Sequence, residues 1–184
     1  MRSVSFPNFI SMGRLLAVPL VVWLMLSQAY GWAFWIFVLA GVSDAIDGFV
    51  AKRFGRETEL GKFLDPLADK ALLVSVYVTL GQAGHLDVWL VILVVFRDVL
   101  IIGGAILSQT IRRPLPSRPL IISKINTAAQ IALAAGVLGS LGLSFQADWF
   151  IGPMTYAVGA TTVASGLAYL ITWSRLTGNH GDAG

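Results

Sequence analysis

The sequence predicts an all-α, polytopic membrane protein with six transmembrane helices and both termini in the cytosol. Three observations carry that prediction. Apolar runs of about 20 residues, the length a helix needs to cross a hydrocarbon core, recur along the chain. Only 12% of the 184 residues are charged and 56% are hydrophobic. With a mean hydropathy of +0.76, the chain is too apolar for a water-exposed domain of this size. Among the connections between these runs, only alternate ones carry lysine or arginine, as when a chain crosses a bilayer back and forth.

The spans fall at about 8–29, 32–54, 62–82, 86–108, 123–144 and 149–173. The first opens with Pro7-Asn8-Phe9-Ile10-Ser11-Met12-Gly13-Arg14 and lacks a small-residue cleavage site, so it reads as a retained helix and not a leader. Tyr30-Gly31 separates it from the second span, which ends at Lys52, Arg53 and Arg56. Lys62 opens the third, where Pro66 suits a first helical turn because its missing N–H has no partner to lose there. Gly81 to Asp87 leads into the fourth span, which carries Arg97 and Asp98 near mid-depth. Arg112, Arg113, Arg118 and Lys124 fill the connection to the fifth, Gly142 to Asp148 joins the fifth to the sixth, and the sixth closes near Arg175. None of the breaks at Tyr30-Gly31, Gly81 to Asp87 and Gly142 to Asp148 holds Lys or Arg. With Arg2 and Arg175 marking the termini, the positive-inside rule puts both termini and both basic connections in the cytosol. One membrane domain over 1–176 follows, with a Gly-rich tail over 177–184 expected to be disordered.

Composition also excludes whole classes of chemistry. There is no cysteine, hence no disulfide, thiolate metal site or cysteine nucleophile. The net charge of +3 is scattered between apolar runs, which suits anionic lipid head groups or phosphate substrates and not nucleic acid. His85 and His180 have no metal-ligand company. Trp23, Trp32, Trp35, Trp89, Trp149 and Trp173 lie near predicted helix ends, as an aromatic belt would.

The chemistry concentrates between Asp44 and Asp69. Asp44 and Asp47 are three apart, and Asp65 and Asp69 four apart, so each pair shares one face of its helix. The second span ends at the cytosol and the third begins there, so the two pairs reach a similar depth, a few turns from the surface at ~1.5 Å per residue. Acids inside apolar helices are expensive and tend to be functional. Four carboxylates converging in a low-dielectric setting repel one another, and hard divalent cations are the natural compensation. Gly48 and Ala51 leave a side-chain-poor strip beside Asp44, open either to a flat ligand or to close helix packing.

The run Asp44-x2-Asp47-Gly48-x2-Ala51-Lys52, then eight residues, then Gly61-x3-Asp65-x3-Asp69, resembles the signature of the CDP-alcohol phosphotransferases, membrane enzymes that join a CDP-linked group to an alcohol and release CMP. The resemblance implies a six-helix bundle, a homodimer, and a two-metal site for Mg2+ or Mn2+ opening to the cytosol. It implies that Asp44, Asp47, Asp65 and Asp69 hold metal, that Asp69 is also the general base, and that Asp44, Gly48, Ala51, Lys52 and Gly61 receive the nucleotide. Lys52 stands where the family usually carries arginine, with Arg53 next to it.

The acceptor must be recognised outside that signature. Arg14 near the start of the first helix holds a phosphate or pairs with the acids; the alternative is that it snorkels to the head groups. Arg97 beside Asp98 is either a phosphate ligand facing the cavity or a polar clamp between helices. Arg112, Arg113, Arg118 and Lys124 gather cations above the site, with membrane-surface anchoring as the alternative for Arg112 and Arg113, and Lys124, Thr127 and Gln130 repeat along one helix face. The run Ser123-Lys124-Ile125-Asn126-Thr127-Ala128-Ala129-Gln130 is similar to that of the CMP-forming cardiolipin synthases, which implies CDP-diacylglycerol as donor and phosphatidylglycerol as acceptor. The phosphatidylglycerophosphate synthases, which take glycerol 3-phosphate, carry a related K-x-x-T-x-x-Q run. Either likeness implies an integral protein of a bacterial cytoplasmic membrane or a mitochondrial inner membrane. A small transporter is the non-enzymatic alternative, although the chain lacks the internal repeats common in that class.

Overall fold

The computed structural model describes the backbone of residues 6–54, 59–110 and 121–178 and the side chains of 13–43, 70–104 and 121–172. Among these residues all regular structure is helical: α1 (Phe6–Leu26), α2 (Tyr30–Phe54), α3 (Glu59–Gln82), α4 (Val88–Thr110), α5 (Ile121–Leu143) and α6 (Asp148–Gly178). Each helix covers one of the six expected spans. α6 continues to Gly178, past the domain boundary expected at 176, and residues 179–184 lie outside the described residues. α3 begins at Glu59, so Pro66 falls in its second turn and not its first. Pro19 and Pro153 likewise sit inside α1 and α6. Apolar helices packed against neighbours tolerate prolines that would break an isolated helix.

Three short connections, 27–29, 83–87 and 144–147, each turn on one left-handed residue: Gln28 at φ 61°, Gly84 at φ 76° and Ser144 at φ 56°. The first two are matched C-terminal caps. Ala29 N–H bonds to Leu24 O at 2.8 Å and Gln28 N–H to Met25 O at 3.0 Å, while His85 N–H bonds to Leu80 O at 2.9 Å and Gly84 N–H to Gly81 O at 3.1 Å. This crossed pair satisfies carbonyls that the helix end leaves open and reverses the chain sharply. The turns lie at one end of the molecule, since Tyr30 OH is hydrogen-bonded to His85 Nε2 at 3.2 Å. That end carries no Lys or Arg in its connections but holds Asp87 and Asp148.

The helices close into a ring in the order α1, α2, α5, α6, α4, α3 and back to α1, with α3 also meeting α5 across the middle. Consecutive helices α1 and α2, α3 and α4, and α5 and α6 thus form three hairpins. Val21 and Met25 of α1, Val76 and Leu80 of α3, and Leu133 and Val137 of α5 fill the centre. Burying such side chains stabilises by about 1.5–3 kcal/mol each where the unfolded reference is water.

The outside is apolar too. Ile92, Phe96 and Val99 make an outward stripe along α4 and are 62%, 66% and 64% exposed. Exposed apolar faces of this extent belong against lipid or another protein. Among the described residues, Ile121–Leu143 and Asp148–Thr172 are long and apolar enough to cross a membrane, and Gly13–Leu26 and Tyr30–Ser43 are shorter apolar stretches. Trp23, Trp32, Trp35, Trp89 and Trp149 are all exposed, and all sit within a few turns of the cation-free end.

Candidate active site

Helical backbone runs through all four aspartates of the signature. Asp44 and Asp47 are in the second half of α2, together with Gly48, Ala51 and Lys52; Gly61, Asp65 and Asp69 are in the first half of α3. The spacing of three on α2 and four on α3 therefore gives each pair a common face. Side chains from 44 to 69 lie outside the described residues, as do residues 111–120 with Arg112, Arg113 and Arg118. The donor set is all carboxylate oxygen, which fits hard divalent ions such as Mg2+ or Mn2+. These four residues would hold them.

Next to the signature, a buried polar network ties four helices together. Lys70, which follows Asp69 on α3, donates from Nζ to Asp98 Oδ1 of α4 at 2.6 Å. The same oxygen accepts from Arg97 Nη1 at 2.7 Å. Arg97 then reaches α6, donating to Ser165 Oγ from Nε at 3.2 Å and from Nη2 at 2.7 Å, and α5, donating from Nη2 to Ser123 Oγ. Arg97 and Asp98 are each only 2% exposed. Charges this deep persist because each is paired and hydrogen-bonded. Adjacent positions on α4 point about 100° apart at 3.6 residues per turn, so Asp98 serves α3 while Arg97 serves α5 and α6. A second set of bonds lies further along the same helices. Asn126 Oδ1 of α5 accepts from Thr161 and Thr162 of α6, each at 2.9 Å, and Tyr77 OH of α3 donates to the Gln130 carbonyl oxygen at 3.1 Å.

The network fixes relative levels. Lys70 adjoins Asp69 in sequence and Ser123 adjoins Lys124, so one chain of contacts, Lys70 to Asp98 to Arg97 to Ser123, links the turn carrying a signature acid to the turn carrying Lys124.

The remaining expected residues divide as follows. Arg14 is buried in the bundle, 5% exposed, and not stretched out to its surface as snorkelling would require. Arg97 makes the contacts of the clamp. Lys124 is exposed on the first turn of α5. The stripe expected from Lys124 through Thr127 to Gln130 is not one face: Lys124 is exposed, Thr127 half-buried and Gln130 fully buried. Steps of three residues fall short of a full turn by about 60° each, so two such steps rotate the row by about a third of a circle. The inward face of α5 is Ser123, Asn126 and Gln130 instead. Lys70, Ser123, Asn126, Thr161, Thr162 and Ser165 were not marked by the sequence as partners. Neutral polar residues spaced three or four apart inside apolar helices, which tend to face other helices, are the signal that marks most of them.

Among the described residues the fold is an all-helical bundle, with the paired aspartates on α2 and α3 and a buried ionic network beside them. The chain belongs to the CDP-alcohol phosphatidyltransferase family, whose model matches residues 4–172. It is 33% identical over 195 residues to the chloroplastic CDP-diacylglycerol–glycerol-3-phosphate 3-phosphatidyltransferase 1 of rice, covering 95% of this chain and 59% of that protein. It is 30% identical over 181 residues to human cardiolipin synthase (CMP-forming), covering 90% of this chain and 60% of that protein. It is 37% identical over 107 residues to the cardiolipin synthase (CMP-forming) of Streptomyces coelicolor, covering 55% of this chain and 50% of that protein. The chain thus spans less than two thirds of the length of these relatives.

Proposed function

We propose that this protein is a CMP-forming cardiolipin synthase, transferring a phosphatidyl group from CDP-diacylglycerol to phosphatidylglycerol. The observation that supports phosphatidyl transfer, whichever alcohol is the acceptor, is the contact chain from Lys70 to Ser123, which joins the helix of the donor-side acids to the helix that opens with the acceptor-side cation Lys124; the choice of phosphatidylglycerol rests on the relatives. Relatives named as CMP-forming cardiolipin synthases in rat, human and Streptomyces coelicolor support it.

The acceptor hydroxyl gives its proton to Asp69 as its oxygen bonds to the phosphatidyl phosphorus, and the bond from that phosphorus to CMP breaks. Asp44, Asp47, Asp65 and Asp69 would hold Mg2+ or Mn2+, which would supply positive charge against the negative charge that develops on the departing CMP. Gly48 and Ala51 leave room for the nucleotide, Asp44 and Gly61 flank it, and Lys52 with Arg53 meets its phosphates. Lys124, Arg112, Arg113, Arg118 and Arg14 attract the acceptor phosphate, while Arg97 holds Ser123 in place beside Lys124. Positioning and fixed charge supply most of the rate, as in phosphoryl transfer generally.

The protein works as a homodimer in a bilayer, in the cytoplasmic membrane of a bacterium or the inner membrane of a mitochondrion, with six transmembrane helices. The cation-free end with its exposed tryptophans faces away from the cytosol, and both termini and the acids lie on the cytosolic side.

A second reading, phosphatidylglycerophosphate synthase with glycerol 3-phosphate as acceptor, is favoured by the 33% identity to the rice enzyme over 95% of this chain. Purified protein with Mg2+ or Mn2+ and labelled CDP-diacylglycerol, offered phosphatidylglycerol, glycerol 3-phosphate, serine or inositol phosphate in turn, separates the two. Cardiolipin with CMP release is expected from phosphatidylglycerol; phosphatidylglycerophosphate as sole product would transfer the assignment to the second reading.

A further inference from the structure

The polar network has a feature that a simple interhelical staple would not need. Lys70 Nζ and Arg97 Nη1 converge on a single oxygen of Asp98, at 2.6 and 2.7 Å, while the other oxygen, Oδ2, is buried with no hydrogen-bond partner. Two cations therefore share one acceptor atom, which ties Lys70 and Arg97 to a common point. Lys70 comes from α3, which packs less extensively against α4 than against α1, and the ion pair ties α3 to α4 at this level. Arg97, fixed from Asp98, in turn holds α5 through Ser123 and α6 through Ser165.

We propose that Asp98 is a positioning residue for the transfer reaction: through Lys70 it sets the rotation of the α3 turn bearing Asp69, and through Arg97 and Ser123 it sets the α5 turn bearing Lys124. One carboxylate thereby fixes the separation between the catalytic acid and the acceptor-side cation. This rests on the reading of Asp69 and Lys124 given above. Errors of the order of 1 Å in such placement lower turnover by about 100-fold without removing any group that touches substrate.

Asp98→Asn tests this with little change of shape: it keeps an acceptor at Oδ1, removes the charge, and puts an amide NH2 donor where the unpartnered Oδ2 stood. CMP release is measured with the acceptor that the unaltered protein uses. The expected result is a kcat lower by about 100-fold with the KM for CDP-diacylglycerol within about threefold of normal. Asp98→Glu should recover at least about tenfold of that loss, because the charge returns. If Asp98 acts on α3 through Lys70, Lys70→Met/Asp98→Asn is no slower than Asp98→Asn alone; losses that multiply would mean two independent structural contributions and overturn the proposal. A kcat for Asp98→Asn within about threefold of normal would overturn it too. Should Asp98→Asn fail to fold, Lys70→Met alone carries the test with the same expected split, because that side chain is 20% exposed and its removal leaves Arg97 paired with Asp98.

A readout independent of turnover comes from spin labels on Val78 of α3 and Ile125 of α5, 45% and 52% exposed, introduced as cysteines into a chain that has none. Asp98→Asn should shift or broaden the distance distribution between them, and an unchanged distribution contradicts the proposal. If the unaltered protein releases CMP with no alcohol, the functional reading fails while the distance measurement still decides the positioning role.

Discussion

Gly31 at the start of α2 and Gly142 at the end of α5 cross backbone to backbone. A Cβ built on Gly142 would lie 2.5 Å from both the Cα and the N of Gly31. No side chain separates the helices there, and the contact pulls the first and third hairpins together at the cation-free end. The relation is not symmetric, because a Cβ on Gly31 would meet its nearest atom, the Gly142 carbonyl oxygen, at 3.2 Å. Gly142→Ala therefore has to push backbone apart, whereas Gly31→Ala needs only a small shift. We expect Gly142→Ala to destabilise by about 1–3 kcal/mol and Gly31→Ala by less. Gly103→Ala, where nothing lies within 4 Å, serves as the unaffected comparison. Thermal unfolding in detergent checks the order; equal midpoints for Gly142→Ala and Gly103→Ala would contradict the crossing.

The two crossed-bond caps differ in the residue at their left-handed position. Gly84 adopts φ 76° without a side-chain clash, while Gln28 adopts φ 61° with one. Gln28→Gly should therefore raise stability by up to about 1 kcal/mol, and Gly84→Ala should lower it by about 1 kcal/mol. Opposite shifts of the unfolding midpoint are the expected signature. A destabilised Gln28→Gly would mean that the glutamine side chain makes up for the strain of its backbone.

The six helices were legible because runs of about 20 apolar residues recur along the chain, and the turns because Lys and Arg avoid three of the breaks between those runs. Lateral order was not. That α5 follows α2 around the ring is decided by small residues such as Gly31 and Gly142, whose importance appears only once their helices meet. The signature acids stood out by spacing alone. Lys70 did not, because its partner Asp98 is 28 positions away and adjacency on a helix says nothing about what a side chain reaches. Pro66 was misplaced by a turn because the basic, polar residues before it resemble a loop, yet the helix runs through Gly61 and Lys62.

Arg97 separates its two readings experimentally. Its contacts to Asp98, Ser123 and Ser165 leave from Nε, Nη1 and Nη2, a fork that a lysine cannot reproduce with one nitrogen. As a clamp, Arg97→Lys should lower stability by about 1–3 kcal/mol, with Ser165→Ala a milder version of the same loss. The acceptor KM would change little. A stable Arg97→Lys protein whose acceptor KM rises by about tenfold or more would instead favour the phosphate-ligand reading.

Asp69 is asked to do two things, bind metal and take a proton, and the two can be pulled apart. Asparagine keeps a carbonyl oxygen for an ion but accepts no proton from an attacking hydroxyl near neutral pH. Asp44, Asp47 and Asp65 remain as carboxylate ligands. Asp69→Asn should therefore bind Mn2+ with affinity close to normal, followed by electron paramagnetic resonance, while turnover drops by about 100- to 10,000-fold. In the unaltered protein a chelator should abolish CMP release and added Mg2+ or Mn2+ should restore it, as expected when hard, oxygen-ligated ions stabilise the leaving group. Loss of Mn2+ binding in Asp69→Asn would make the residue chiefly a ligand. Near-normal turnover would require a different base, with Asp65, one turn nearer the start of α3, next to be tested by the same substitution.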